Sequence, residues 1–438
     1  MSTSTKTTFI AKPGGCLKGT LRVPGDKSIS HRSIMFGSLA EGITDVSGFL
    51  EGEDCLSTMR AFRAMGVEID HSGEGQVRIH GVGLHGLKQP DAGLDLGNSG
   101  TSMRLMAGLC AGQNFNVTLT GDESLSTRPM RRVTDPLFEM GASIGTTEKG
   151  TPPLEINGAN KLKGITYTLP MASAQVKSCL LLAGMYAEGK TCVTEPAPTR
   201  DHTERMLQGF GYKVDRQGPT ACLEGGGVLT ATNIDVPADI SSATFFMVGA
   251  SIAKGSDILL ENVGINPTRD GVISILKLMG ADITLTNKKE ICGEPVADIR
   301  VKSAQLKGID IPEELVPLAI DEFPAIFIAA ACAEGVTRLT GAEELRVKES
   351  DRIQVMADGL LALGIDVEPT PDGIVIQPGT FKGGEVDSHG DHRIAMSFSI
   401  AALRATTDIT INDCDNVNTS FPHFIEIAKR SGLNISNS

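Results

Sequence analysis

Three observations predict an α/β protein built from six repeated βαβαββ-like units. A polar motif recurs before an apolar helix, a glycine closes a second helix in every unit, and short aliphatic runs lie between the two helices. The openings are GDKSIS from Gly25, GNSGTS from Gly97, ASAQVKS from Ala172, DISSAT from Asp239, DEFPAI from Asp321 and GDHRIA from Gly390, spaced 67 to 82 residues apart.

The first helix of each unit is almost wholly apolar, as in SCLLLAGMYA (residues 178–187) and AIFIAAACA (residues 325–333), and is expected to be buried on most sides. The second is amphipathic. In residues 351–364, Ile353, Met356, Leu360 and Leu363 fall at helical spacing while Gln354 and Asp358 face elsewhere. These helices end in Met65-Gly66-Val67, Met140-Gly141-Ala142, Phe210-Gly211-Tyr212, Met279-Gly280-Ala281, Leu363-Gly364-Ile365 and Ser431-Gly432-Leu433. Glycine there is a C-cap signal, because it takes the left-handed conformation without a Cβ clash. Residues 117–119, 258–260 and 409–411 are short, aliphatic and flanked by turn residues, and are expected to be strands. Helix and strand alternating in this way predict parallel pairing.

A chain of 438 residues, 40% hydrophobic, exceeds the usual size of a single core, so two or three domains are expected. The formal charge of -13 repels polyanions at long range and argues against nucleic acid or an anionic membrane as partner. The absence of tryptophan disfavours a base-stacking surface. Nine cysteines, an odd number with no C-x-x-C pair, suggest reduced thiols and a cytoplasmic protein. The segment MSTSTKTTFIAKPGG lacks the apolar core of a signal peptide, and no apolar run is long enough to span a bilayer.

A helix N-terminus has unpaired N–H groups and a partial positive charge, which makes a small-residue opening a natural anion site. In GDKSISHR, Lys27 and Arg32 bracket the first turn, and Ser28 shares a face with Arg32. The loops after the strands add Arg128, Arg131, Arg132, Arg200, Arg269, Arg346, Lys348 and Arg352. Against an acidic background, this recurrence at equivalent points implies a small ligand carrying both carboxylates and phosphates. Asp321, Glu322, Glu349 and Asp391 lie among the bases. Such carboxylates serve general acid–base chemistry or plain ion pairs. A repeat is also compatible with a structural array, but the polar differences between units concentrate at the helix openings rather than across the outer faces.

Other site classes fit less well. His389 and His392 do not have the i,i+4 zincin spacing, and Arg393 would repel a cation, so no metal is expected. GNSGTS is neither a nucleotide phosphate loop nor a dinucleotide fingerprint. His31 and His202 are expected to be local hydrogen-bond partners.

The motifs GDKSISHR, GNSGT, STRPM, SAQVKS, RVKESDR and GDHRIAM, in this order over nearly the whole length, resemble the 5-enolpyruvylshikimate-3-phosphate synthases. The resemblance implies the enolpyruvyl transferase fold, an inside-out α/β barrel with three units in each of two domains. One domain spans residues 21–237 and the other residues 1–20 with 238–438, and the active-site cleft lies between them. It implies transfer of the enolpyruvyl group of phosphoenolpyruvate to the 5-hydroxyl of shikimate 3-phosphate, by addition and then elimination of phosphate. This is a step of aromatic amino acid biosynthesis, carried out without cofactor or metal by a cytoplasmic monomer.

By the same resemblance, Lys27, Ser28, Arg32, Ser173, Ala174, Gln175, Arg200, Asp321 and Lys348 hold shikimate 3-phosphate. Lys27, Asn98, Gly100, Thr101, Arg128, Gln175, Arg352, His392 and Arg393 surround phosphoenolpyruvate, and Lys27, Asp321 and Glu349 are catalytic. Ala174 replaces a serine found in many members, with Arg200 expected to take over phosphate binding, and Thr419 stands where many have a lysine. RDHTE, SAQVK and NPTR resemble the glyphosate-tolerant subgroup, although some tolerant members have alanine in place of Gly100. The sister family acting on UDP-N-acetylglucosamine usually carries a reactive cysteine near STRPM, and here no cysteine lies between Cys110 and Cys179.

Overall fold

The computed structural model describes residues 6–438, so the first five residues of the expected 1–20 segment lie outside the described residues. The GNSGTS unit is uninterrupted in sequence. It runs through strand Leu94–Asp95, helix Gly100–Ala111, strand Val117–Thr120, helix Arg131–Glu139 and strands Ser143–Gly145 and Leu154–Asn157. Its second strand pairs in parallel with the first and antiparallel with the fourth, and the fourth pairs antiparallel with the third. The same order recurs in Thr166–Thr168, Lys190–Thr194, Thr220–Glu224 and Asp215–Gln217. Among the described residues there are five sheets of four strands and one of three.

The sheets are therefore mixed, which corrects the expectation of parallel pairing. Only the crossover through the first helix yields parallel neighbours; the third and fourth strands form a hairpin, and a short hairpin connection reverses direction.

The chain divides into two compact bodies. The first comprises Gly25–Val236 and Glu290–Glu294; the second comprises Met1–Pro24, Pro237–Lys289 and Pro295–Ser438. Each borrows a distant strand to complete a unit. In the first body Ile234–Asp235 lies parallel to Glu41–Ser47. In the second, Lys18–Leu21 lies parallel to Asp257–Gly264, and Phe9–Ala11 fits antiparallel between Ile409–Asn412 and Ile435–Asn437.

Each body has its own apolar core. In the first, helices Gly100–Ala111 and Ala174–Gly184 pack so closely that a Cβ on Gly108 would sit 2.1 Å from the Cys179 carbonyl oxygen. In the second, helices Ile240–Ile252, Phe323–Ala331 and His392–Ala401 pack on one another and are almost wholly buried. The outer helix Arg352–Ala362 buries Ile353, Met356 and Leu360, with Leu363 just past its end, and exposes Gln354 and Asp358. All six closing glycines have positive φ, from 80° at Gly211 to 115° at Gly432. Residues 117–119, 258–260 and 409–411 lie within strands.

The cysteine expectation fails at one pair. Cys192 and Cys222 form a disulfide, directly opposite each other on neighbouring antiparallel strands with Cα atoms 4.1 Å apart. Their 30-residue separation hid a cross-strand register that sequence spacing does not reveal. The other seven thiols are free. No helix among the described residues is long and apolar enough to cross a membrane.

Candidate active site

In the first body, three helix openings carry the predicted residues. Asp26 caps helix Lys27–Leu39 by accepting from the Ile29 N–H at 2.8 Å, and the ammonium of Lys27 pairs with the buried carboxylate of Asp54. Arg32 is nearly buried. Its Nε donates to Thr203 Oγ1 at 2.7 Å, Nη2 to Ser178 Oγ at 3.0 Å and Nη1 to the Ser28 carbonyl at 2.9 Å. Burial draws its pKa down to about 10, against the pull of Glu204, Asp26 and Glu294, and the charge of Arg200 adds to the lowering.

At the second opening Ser99 caps helix Gly100–Ala111 through the Ser102 N–H. Asn98 donates to Asp122 at 2.7 Å and accepts from Arg128 Nη2 at 2.8 Å. Thr101 accepts from Gln175 Nε2 at 3.0 Å, and Gln175 Oε1 accepts from Arg104 Nη1 at 2.7 Å. A Cβ on Gly100 would lie 2.9 Å from Arg104 Nη1 and 3.1 Å from Arg128 Nη1, so the missing side chain is what lets two guanidinium groups approach one helix start. At the third opening Ser173 caps helix Ala174–Gly184, with Ala174 and Gln175 in its first turn. Arg200 precedes helix His202–Gly209.

Arg32 and Arg128 donate hydrogen bonds to hydroxyl, amide and carbonyl groups. Hydrogen bonds of that kind fix a guanidinium in place without cancelling its charge, so an arriving anion meets oriented positive charge.

The second body is arranged differently. Arg352, 1% exposed, is ringed by three carboxylates: Nε lies 2.8 Å from Asp391, Nη1 3.2 Å from Asp321 and Nη2 2.6 Å from Glu349. Its pKa is raised because those carboxylates together outweigh burial. Asp391 also accepts from the Arg393 N–H as the cap of helix His392–Ala401. Lys348 Nζ stands 3.7 Å from Asp321 and 2.6 Å from Glu344. Burial would push the Glu349 carboxyl up, but the positive charges of Arg352, His392 and Arg393 outweigh it and hold the group well below the usual carboxylate range. Glu349 remains 38% exposed, an ionised carboxylate that a proton donor from solution or substrate can reach.

The structure thus brings Lys27, Ser28 and Arg32 onto one helix, and Asn98, Gly100, Thr101, Arg128 and Gln175 around another. Asp321, Lys348, Glu349, Arg352, His392 and Arg393 form a separate cluster in the second body. Three arginines of the proposed basic set do other work. Arg269 is buried against Asp239 and Ser241, Arg346 holds the carbonyls of Thr370 and Pro371 together with Asp351, and Arg131 donates to the Glu148 carbonyl. His31 hydrogen-bonds Thr58 and His202 hydrogen-bonds Glu294; both are hydrogen-bond partners as expected, but their partners stand 27 and 92 residues away on other elements rather than nearby in sequence. Thr419 bonds to the Asn416 carbonyl within the short helix Val417–Ser420.

Arg104 and Asp54 were not anticipated. Arg104 had a legible signal, lying one helical turn after Gly100 on the face of the opening. Asp54 had none, since it reaches Lys27 from a different helix.

The model of the EPSP synthase (3-phosphoshikimate 1-carboxyvinyltransferase) family matches residues 11–427. The 3-phosphoshikimate 1-carboxyvinyltransferase of Methylococcus capsulatus is 71% identical over 427 residues, covering 98% of this chain and 98% of the relative. That of Alkalilimnicola ehrlichii is 68% identical, covering 97% of this chain and 96% of the relative. A structure of EPSP synthase from Acinetobacter baumannii superposes with a TM-score of 0.92 at 62% identity, covering 99% of this chain and all of the other. With motifs, fold and sequence agreeing over nearly its whole length, the chain belongs to the EPSP synthase family.

Proposed function

We infer that this enzyme transfers the enolpyruvyl group of phosphoenolpyruvate to the 5-hydroxyl of shikimate 3-phosphate and releases phosphate. The observation that carries the reading is the span of the family match, residues 11–427, which takes in both residue clusters.

The chemistry divides between them. Lys27, Asn98, Gly100, Thr101, Arg128 and Gln175, with Arg352, His392 and Arg393, serve phosphoenolpyruvate. Ser28, Arg32, Ser173, Ala174, Gln175 and Arg200, with Lys27, Asp321 and Lys348, serve shikimate 3-phosphate. In the addition the methylene carbon gains a proton while the 5-hydroxyl oxygen bonds to the neighbouring carbon and gives up its own proton. Asp321 orients or accepts from that hydroxyl. In the elimination the new methyl group loses a proton, the carbon–carbon double bond re-forms, and phosphate leaves. Glu349, ionised beside Arg352, is the acceptor suited to that second step, and the Lys27 ammonium assists proton delivery in the first. The arginines stabilise charge on the carboxylate and the leaving phosphate.

The enzyme works as a cytoplasmic monomer: the seven free thiols support the compartment, the Cys192–Cys222 disulfide counts against it, and light scattering tests the oligomeric state. It belongs with the glyphosate-tolerant subgroup through RDHTE, SAQVK and NPTR, tempered by Gly100. Weak to intermediate inhibition is expected, and an inhibition constant equal to that of sensitive members overturns the placement.

A phosphate-release assay with phosphoenolpyruvate and shikimate 3-phosphate tests the function. Release is expected with this pair; release only with UDP-N-acetylglucosamine would transfer the assignment to the sister activity.

A further inference from the structure

Behind the third opening lies a buried charge cluster that the reaction does not use. Lys177, on helix Ala174–Gly184, is 1% exposed, with Nζ 3.0 Å from Glu195 and 2.8 Å from Glu204, both nearly as buried. Three desolvated charges are unfavourable to bury, and among the described residues Lys177 Nζ and the Glu204 oxygens make no hydrogen bond that offsets it, so the cluster is held by charge attraction at these short distances. Their placement shows what they fix. Glu195 directly follows strand Lys190–Thr194, Glu204 lies in the first turn of helix His202–Gly209, and Arg200 stands in the loop between them.

The loop is held on both sides of Arg200. Thr199 Oγ1 donates to Glu195 at 2.5 Å, and Asp201 accepts from Arg205 at 2.8 Å and Arg216 at 2.7 Å. On the other side Lys177 belongs to the first turn capped by Ser173, its N–H bonded to the Ser173 carbonyl at 3.1 Å. The lysine therefore ties the loop bearing Arg200 to the helix start bearing Ser173, Ala174 and Gln175. Arg200 is also near enough to Arg32 for its charge to oppose that of Arg32, a repulsion that a bound dianion would relieve.

We propose that Lys177 is a positioning residue for the 3-phosphate of shikimate 3-phosphate, acting through Arg200 by clamping the Arg200 loop against the Ser173 helix opening. This rests on the reading that Ser173, Gln175 and Arg200 hold that phosphate. Lys177 itself touches no substrate; it sets the spacing between two parts of the phosphate site.

The test uses the full-length enzyme. Turnover of phosphoenolpyruvate and shikimate 3-phosphate by the unaltered chain is measured first, and its absence would remove the functional reading itself. Given turnover, Lys177→Met should raise KM for shikimate 3-phosphate by about tenfold or more, the scale of one lost charge-assisted hydrogen bond. KM for phosphoenolpyruvate and kcat should stay within about threefold of their original values. In an Arg200→Ala background, Lys177→Met should add little further rise in KM, because the residue it positions is gone. Equal changes in both KM values, full additivity with Arg200→Ala, or a lowered melting temperature with unchanged KM values would each overturn the proposal. If Lys177→Met does not fold, Thr199→Val decides: a selective rise in KM for shikimate 3-phosphate supports the clamp, and no change refutes it.

Discussion

The two bodies differ in how they hold the arginines at their helix openings. In the first, Arg32 and Arg128 donate to hydroxyl, amide and carbonyl partners. In the second, the enclosed guanidinium of Arg352 faces Asp321, Glu349 and Asp391. The first arrangement is made to receive anions. The second keeps a carboxylate ionised and in place, as proton transfer requires. We read the first body as supplying most of the anion-binding groups, with Lys27 also serving proton delivery, and the second as supplying the proton-moving carboxylates, with Arg352, His392 and Arg393 also serving phosphoenolpyruvate.

The largest effect should come from the proton-moving half. Glu349→Gln keeps the shape of the side chain and removes its basicity, so kcat should fall by roughly 10²–10⁴-fold. Near-normal turnover would assign the proton to another group. Arg352→Met should lower stability by about 3–5 kcal/mol in denaturant unfolding, because Asp391 and its neighbours are left with buried, unpaired charge. A loss below about 1 kcal/mol would mean that water already reaches this cluster.

In the binding half, Arg128→Ala should raise KM for phosphoenolpyruvate by about 10- to 100-fold, with a smaller change in kcat. An equal loss in both would blur the contrast between the halves. Gly100→Ala is milder: the added Cβ moves the ends of Arg104 and Arg128 by a few tenths of an ångström. KM for phosphoenolpyruvate should rise by less than the roughly hundredfold that a 1 Å misplacement causes. Stability should hold or increase by up to about 1 kcal/mol, since alanine is the better helix former.

The smallest effect is on stability against pH. The folded pKa of Glu349 lies below its ordinary value of 4.5, so its contribution is fully present above that value and is lost as the pH falls through the folded one. The stability difference between the enzyme and Glu349→Gln should be constant between neutral pH and 4.5, then shrink with further acidification. A difference that changes near neutral pH would contradict the ionised state.

Much of this was legible in the sequence because repetition exposes it. Gly66, Gly141, Gly211, Gly280, Gly364 and Gly432 each mark the end of an outer helix, and the six openings mark the inner ones. Local signals of that kind survive without a structure. Contacts set by strand register or by packing between distant helices do not. Cys192 meets Cys222 only through the pairing of two strands, Asp54 reaches Lys27 from a neighbouring helix, and Lys177 joins two glutamates from separate elements. For the same reason, Arg269 and Arg346 resembled ligand-binding residues in sequence until their carboxylate and carbonyl partners were located.

The division of labour is tested most directly by titrating phosphoenolpyruvate into Glu349→Gln saturated with shikimate 3-phosphate, using calorimetry. Binding should stay within about threefold of that of the unaltered enzyme even though turnover is lost. A loss of binding on the scale of Arg128→Ala would make Glu349 part of the anion-binding apparatus and contradict the separation of roles.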